Sequence, residues 1–197
     1  MKDIEVIEEY LRPTECIDFE NPLIQKQAYM LIRESKDKVD YIKRAYCFVR
    51  DEITHSWDVG ETIVSITASD VLKNGTGICW TKSCLLAALL RANNIPAGIS
   101  YQRLTRADED TRDGYIIHAL NTVYIEEIGK WIRLDARGNK STVHAEFNIT
   151  KEILAFPIRE ELGECDYLDN HPNLDVRLAA ILKDSESVLN IRADILF

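Results

Sequence analysis

The sequence predicts an α+β fold in which a largely apolar helix packs on an antiparallel sheet, with further helices towards both ends. Three observations carry that prediction. An uninterrupted apolar run, Cys84-Leu85-Leu86-Ala87-Ala88-Leu89-Leu90, follows closely on a glycine-rich turn. Two segments rich in β-branched and aromatic residues, 115–125 and 130–135, are separated by only four residues. Upstream of both, apolar side chains recur at helical spacing.

The elements follow in order. Asn21-Pro22 offers a capping side chain and a proline suited to the first helical position, and Leu23, Ile24, Ala28, Leu31 and Ile32 continue at helical spacing to Arg33. A second helix is expected from Lys38 to about Ile53 and a short one over 68–73. The apolar run belongs to a helix over about 79–92, which starts where Gly75 and Gly77 let the chain turn sharply. Residues 96–104 read as a strand, and 106–114 as a polar, acidic loop. The two β-rich segments come next, then a further strand near 143–147. Residues 171–182 and 185–195 read as terminal helices.

The helix start falls at Cys79, in Asn74-Gly75-Thr76-Gly77-Ile78-Cys79-Trp80. Unpaired N–H groups and the positive end of the helix dipole stabilise a thiolate at such a position. Cys84, inside the apolar run, is expected to be buried and inert. Downstream, a four-residue hairpin loop ending in Gly129 sets Ile125 opposite Lys130, and so Leu120 opposite Asp135. Side chains two apart on a strand share a face, so His118 and Asp135 project together as a diagonal pair. Thiolate, imidazole and carboxylate are the set that cysteine catalysis needs. The sulfur attacks, the imidazole moves protons, and the carboxylate fixes the imidazole's tautomer.

Gly77-x-Cys79-Trp80, the leucine/alanine helix ending Leu90-Arg91-Ala92-Asn93-Asn94-Ile95-Pro96-Ala97, His118, and Trp131-Ile132-Arg133-Leu134-Asp135 stand in the order of three family motifs. In these the chain resembles the transglutaminase-like superfamily. The resemblance is strongest over about 68–139 and reaches loosely back to 39, leaving about 150–197 as a helical C-terminal extension of one domain, 1–197. It implies a papain-like core and acyl transfer or hydrolysis on a peptide, protein or small amide through a thioester. Cys79 would be the nucleophile, His118 the general acid/base and Asp135 its orienting partner, with no cofactor or metal. The superfamily includes transglutaminases, peptidases, amidases and inactive members. Water is slightly preferred over an amine as acceptor, and a catalytically idle binding or scaffold module is the rival reading. One departure is that Ala119 and Leu120 follow His118, where many relatives carry an aromatic.

Other residues near these motifs carry two readings each. Trp80 either packs against the sheet or shapes a substrate groove. His55 or Trp57, in His55-Ser56-Trp57-Asp58, either helps the Cys79 backbone N–H hold an oxyanion or belongs to a surface turn with Trp57 partly buried. Arg137 either binds a substrate carboxylate at the site's edge or pairs with a surface acid. The acidic residues of 108–113 form a solvated loop or flank the cleft.

Composition bounds the rest. The 197 residues carry a net charge of −9, with no run of three basic residues, which argues against a nucleic-acid partner. No apolar stretch approaches the roughly 20 residues that span a bilayer, and the N-terminus lacks a signal peptide's apolar region. Five scattered cysteines with no C-x-x-C motif fit a reducing compartment rather than a disulfide framework or a zinc site. A cytoplasmic protein with no membrane partner is expected; nothing in the sequence speaks to oligomeric state.

Overall fold

The computed structural model describes residues 7–106 and 111–191. Helix α1 (Pro22–Arg33) starts as expected, with the Asn21 side chain accepting from the Leu23 N–H. Helix α2 (Lys38–Glu52) is capped by Asp37 and ends in a two-residue strand β1 (Thr54–His55), followed by one turn of helix, α3 (Ser56–Val59). Helix α4 (Ala68–Asn74) opens on a reciprocal capping box between Thr67 and Asp70. A second short strand, β2 (Thr76–Gly77), pairs parallel with β1 and sets His55 opposite Gly77, two residues before Cys79.

Helix α5 (Cys79–Arg91) is the centre of the molecule. All but its first residue are buried, the polar Thr81, Lys82, Ser83 and Arg91 included, so the helix is covered on every face and has no solvent side. Gly77 permits its close approach to α4. A Cβ there would lie 2.6 Å from Thr81 Oγ1 and 3.3 Å from Val71 Cγ2. Gly77→Ala is therefore expected to cost about 1–3 kcal/mol, read as a fall in melting temperature. An unchanged Tm would show that Thr81 swings aside freely.

The main sheet is antiparallel throughout and runs in the order Lys130–Leu134, Tyr115–Ile125, Ala97–Thr105 and Cys165–His171. Strands β3 (Ala97–Thr105), β4 (Tyr115–Ile125) and β5 (Lys130–Leu134) lie close to their expected positions. The hairpin register is the one the loop length demands, with Ile125 opposite Lys130 and Asn121 opposite Leu134. Gly129 closes that loop at φ 61°, in the left-handed region.

Four expectations are corrected. The C-terminal extension is not wholly helical, because Cys165–His171 forms edge strand β6 on β3. Its polar composition and a Leu168 that is 75% exposed hide the alternation that marks a strand. Residues 143–147 form no strand, and only Lys140 and Val143 bridge. Ala145 instead bonds side chains, its N–H donating to Asn139 Oδ1 at 2.8 Å and its carbonyl accepting from Arg50 Nη1 at 3.0 Å. The helix expected from 171 begins later, as α6 (Val176–Asp184), where Asp175 supplies the cap. Of the helix expected over 185–195, a 3₁₀ turn at Val188–Asn190 is present, and 192–197 lie outside the described residues. Val188 explains the interruption: its N–H donates to the Thr62 carbonyl and its carbonyl accepts from Trp57 Nε1.

Candidate active site

Cys79 sits at the first position of α5. The preceding residue, Ile78, gives no side-chain cap, so among the described residues no side chain claims the first N–H groups of the helix. Three hydrogen bonds fasten this end of the helix to β4. Trp80 Nε1 donates to the Ile117 carbonyl at 2.8 Å, Ser83 Oγ to the Ala119 carbonyl at 3.2 Å, and Asn121 Nδ2 to the Ser83 carbonyl at 2.8 Å. They bracket His118 in sequence, so helix and histidine form one rigid unit.

His118 is 2% exposed, and its Nε2 donates to Asp135 Oδ2 at 2.8 Å. That leaves Nδ1 for Cys79, which lines the same cavity and is among the groups that raise the His118 pKa. Burial alone would push the His118 imidazolium towards deprotonation. The Asp135 carboxylate and the Cys79 sulfur overcome this and carry its pKa up to about 10. Asp135 is 1% exposed and accepts two further bonds, from the Arg137 N–H on Oδ1 and the Ala155 N–H on Oδ2, each 3.1 Å. Burial raises its pKa, but the His118 charge and these donors hold the carboxyl below its ordinary range. The His118 and Phe156 rings stand nearly perpendicular, with centroids 5.0 Å apart.

These groups open on a cavity of about 350 Å³, whose wall includes Cys79, His118, His55, Trp57, Ile116 and Phe156. A second, apolar recess of about 20 Å³ lies behind Cys79, against Trp80 and Ile117. Cys84 is fully buried, as expected. Lys82, one turn beyond Cys79, is also fully buried and donates to the Ile53 carbonyl, tying α5 to the end of α2. Burial and the charge of Arg137 push its ammonium down to about 7.

A family model, that of the transglutaminase-like superfamily, matches residues 25–136. The chain belongs to the transglutaminase-like superfamily. A solved structure from Cytophaga hutchinsonii, described as a candidate cysteine protease, matches with a TM-score of 0.55 and 23% identity. A candidate protease from Parabacteroides distasonis gives 0.43 and 15%. The matches cover 67% and 78% of this chain, but only 42% and 30% of those chains. No curated protein sequence is significantly similar.

The structure sorts the remaining residues of this transglutaminase-like site. Trp57 lines the cavity, with its indole N–H donating to the Val188 carbonyl at 3.0 Å. Trp80 is 3% exposed and lies against β4, outside the main cavity. Arg137 lines the cavity, but its guanidinium grips Asp58 through both oxygens, at 2.6 and 2.8 Å. Burial raises the Asp58 pKa, and Arg137 and Lys140 outweigh that to bring it to about 2. In the acidic loop, 107–110 lie outside the described residues, whereas Arg112 and Asp113 are exposed. Sequence reasoning missed Phe156, the Ala155 N–H and Lys140. Only the last carried a signal, as a lone base just beyond Arg137. Among the described residues, no group of three His, Cys, Asp or Glu is placed to hold a metal ion, and no helix is long and apolar enough to cross a membrane.

Proposed function

We propose that the protein is a cysteine-dependent acyl-transfer enzyme acting on a peptide, protein or small amide, with Cys79, His118 and Asp135 as its catalytic groups. The observation that carries this reading is His118, bonded to a buried carboxylate and lining one cavity with Cys79. The Cys79 sulfur attacks the carbonyl carbon and forms a tetrahedral oxyanion. Its collapse breaks the C–N bond, and the imidazolium gives its proton to the departing amine. Water then attacks the thioester as His118 takes a proton from it. The C–S bond breaks, and the acid and the free thiol are regenerated. Hydrolysis remains slightly preferred over transfer to an amine. The description of the Cytophaga hutchinsonii relative as a candidate cysteine protease supports the peptidase or amidase side of this reading.

Two donors are suited to the oxyanion: the Cys79 backbone N–H at the uncapped helix start, and His55. Trp57, the other residue considered, has its only side-chain donor engaged with Val188. His55 is 6% exposed, and its Nδ1 is buried with no hydrogen-bond partner among the described residues. Burial, then the charge of Arg137, pushes its pKa well below 6.5, so the ring is neutral. A proton on Nδ1 would meet no acceptor, so the N–H belongs on Nε2, the nitrogen left to serve the cavity. His55→Phe is expected to lower kcat by about 10²–10³-fold with a smaller change in KM. A parent-like kcat would remove His55 from the mechanism.

The enzyme reading is tested by incubation with an activated acyl ester or anilide, followed by intact-mass analysis for a thioester on Cys79. Absence of any adduct or turnover across acyl donors would favour a catalytically idle binding module.

A further inference from the structure

The wall of the cavity is basic, although the chain as a whole carries a net charge of −9. Among the described residues, four cationic side chains line it, Arg106, Arg137, Lys140 and Arg159, against the single carboxylate of Glu164. Glu164 is saturated. Its two oxygens accept from the Thr105 N–H and hydroxyl and from the Arg159 N–H and guanidinium. Asp58 is likewise engaged, by both arms of Arg137 and by Lys140 Nζ at 3.1 Å from Oδ1. One carboxylate thus answers two cations, and Arg159 answers Glu164, so positive charge is left over at the cavity.

Lys140 is the group best placed to use that excess. Its backbone exchanges two hydrogen bonds with Val143, at 2.9 and 3.0 Å, in a tight turn that fixes where the side chain starts. The side chain is 45% exposed, and its contact to Asp58 occupies one of three ammonium N–H groups. Apolar Ile116, Val143 and Phe156 line the same cavity. Low-dielectric walls strengthen the field that a fixed charge projects into a cleft.

Resting on the acyl-transfer reading above, we infer that the substrate of this site is anionic: an amide or peptide carrying a carboxylate near the scissile bond, held by Lys140 with Arg106. The carboxylate belongs to an acidic side chain or to the end of the peptide.

Three isosteric affinity labels separate these sources: N-bromoacetyl-glutamine amide, which is neutral, N-bromoacetyl-glutamate α-amide, with a side-chain carboxylate, and N-bromoacetyl-glutamine, with a terminal one. In each, the Cys79 sulfur displaces bromide and forms a C–S bond, and the adduct is located by peptide mass spectrometry. At least one acidic label should react faster than its neutral twin, and the faster of the two identifies the source. Because the His118 imidazolium also attracts anions, the deciding quantity is the acidic-to-neutral rate ratio. It should fall by about two- to fivefold in Lys140→Gln, the effect of one half-exposed ion pair. It should fall further in Lys140→Gln/Arg106→Gln, and also in raised salt. Acidic labels no faster than the neutral one, or a ratio unchanged in the double variant, would overturn the inference and leave the nucleophile assignment standing. Failure of all three labels to modify Cys79 would overturn both.

Discussion

Cys79→Ala is expected to abolish thioester formation while the protein stays folded. The reaction has no other route, because the remaining groups can bind and polarise an acyl donor but cannot form the covalent intermediate. Loss of the nucleophile from such a set costs at least about 10⁴-fold in kcat. Cys79 sits at a cavity wall and is only half buried, so removing its sulfur should change stability by about 1 kcal/mol or less. Paired measurements of adduct formation and melting temperature test this directly. A Cys79→Ala protein that still accumulates an acyl adduct at the parent rate would place the nucleophile elsewhere. One that unfolds would show the cysteine to be a structural element of α5.

Asp135→Asn is expected to lose activity by about 10⁴-fold and, unlike Cys79→Ala, to lose stability as well. Asp135 accepts from three donors, His118 Nε2 and the Ala155 N–H on one oxygen and the Arg137 N–H on the other. An amide in this place must turn its NH₂ towards one of those two sets, setting donor against donor. The unmade bond costs about 1–3 kcal/mol. The change also removes the larger of the two influences that carry the His118 pKa up to about 10, leaving Cys79 alone to oppose burial. NMR titration should show His118 protonated to about pH 10 in the parent, and losing its proton far lower in the variant.

The stability consequence has a definite sign. The folded His118 pKa lies above the unfolded value of 6.5, so the contribution of the pair is complete below about pH 6.5 and fades as pH rises through about 10. Asp135 is depressed, so its contribution is present above its ordinary value of 3.8 and fades as pH falls through its lower folded value. The stability gap between parent and variant should therefore be widest between these limits and narrow towards alkaline pH. A gap that stays constant from pH 6 to 10 would contradict the ion pair.

How far the sequence could be read depended on what each element owes to its own residues. The β4–β5 hairpin was legible down to its register, because loop length and Gly129 are local facts and alternation then fixes which side chains share a face. The buried helix was legible because its apolar run could belong nowhere but the core. Strand β6 was not, since an edge strand with Leu168 outward depends on β3 for its existence. Nor was the wall of the cavity from Ala155 to Pro157. Its contribution comes through a main-chain N–H and the placement of one ring, and neither leaves a pattern in side-chain chemistry. For the same reason Asp58 passed as part of a surface turn until Arg137 was seen bound to it, 79 residues away.

The bond from the Ala155 N–H to Asp135 bears on how such a protein diverges. The irregular chain between β5 and β6 walls the cavity, yet at Ala155 it meets the carboxylate through backbone alone. Any residue but proline can donate that bond provided its side chain fits the small cluster that Ala155 forms with Val143 and Ala145, so mutation at the neighbouring wall positions need not disturb the carboxylate's setting. Lineages descended from one such ancestor can exchange the side chains that greet a substrate while inheriting the proton-handling groups unaltered.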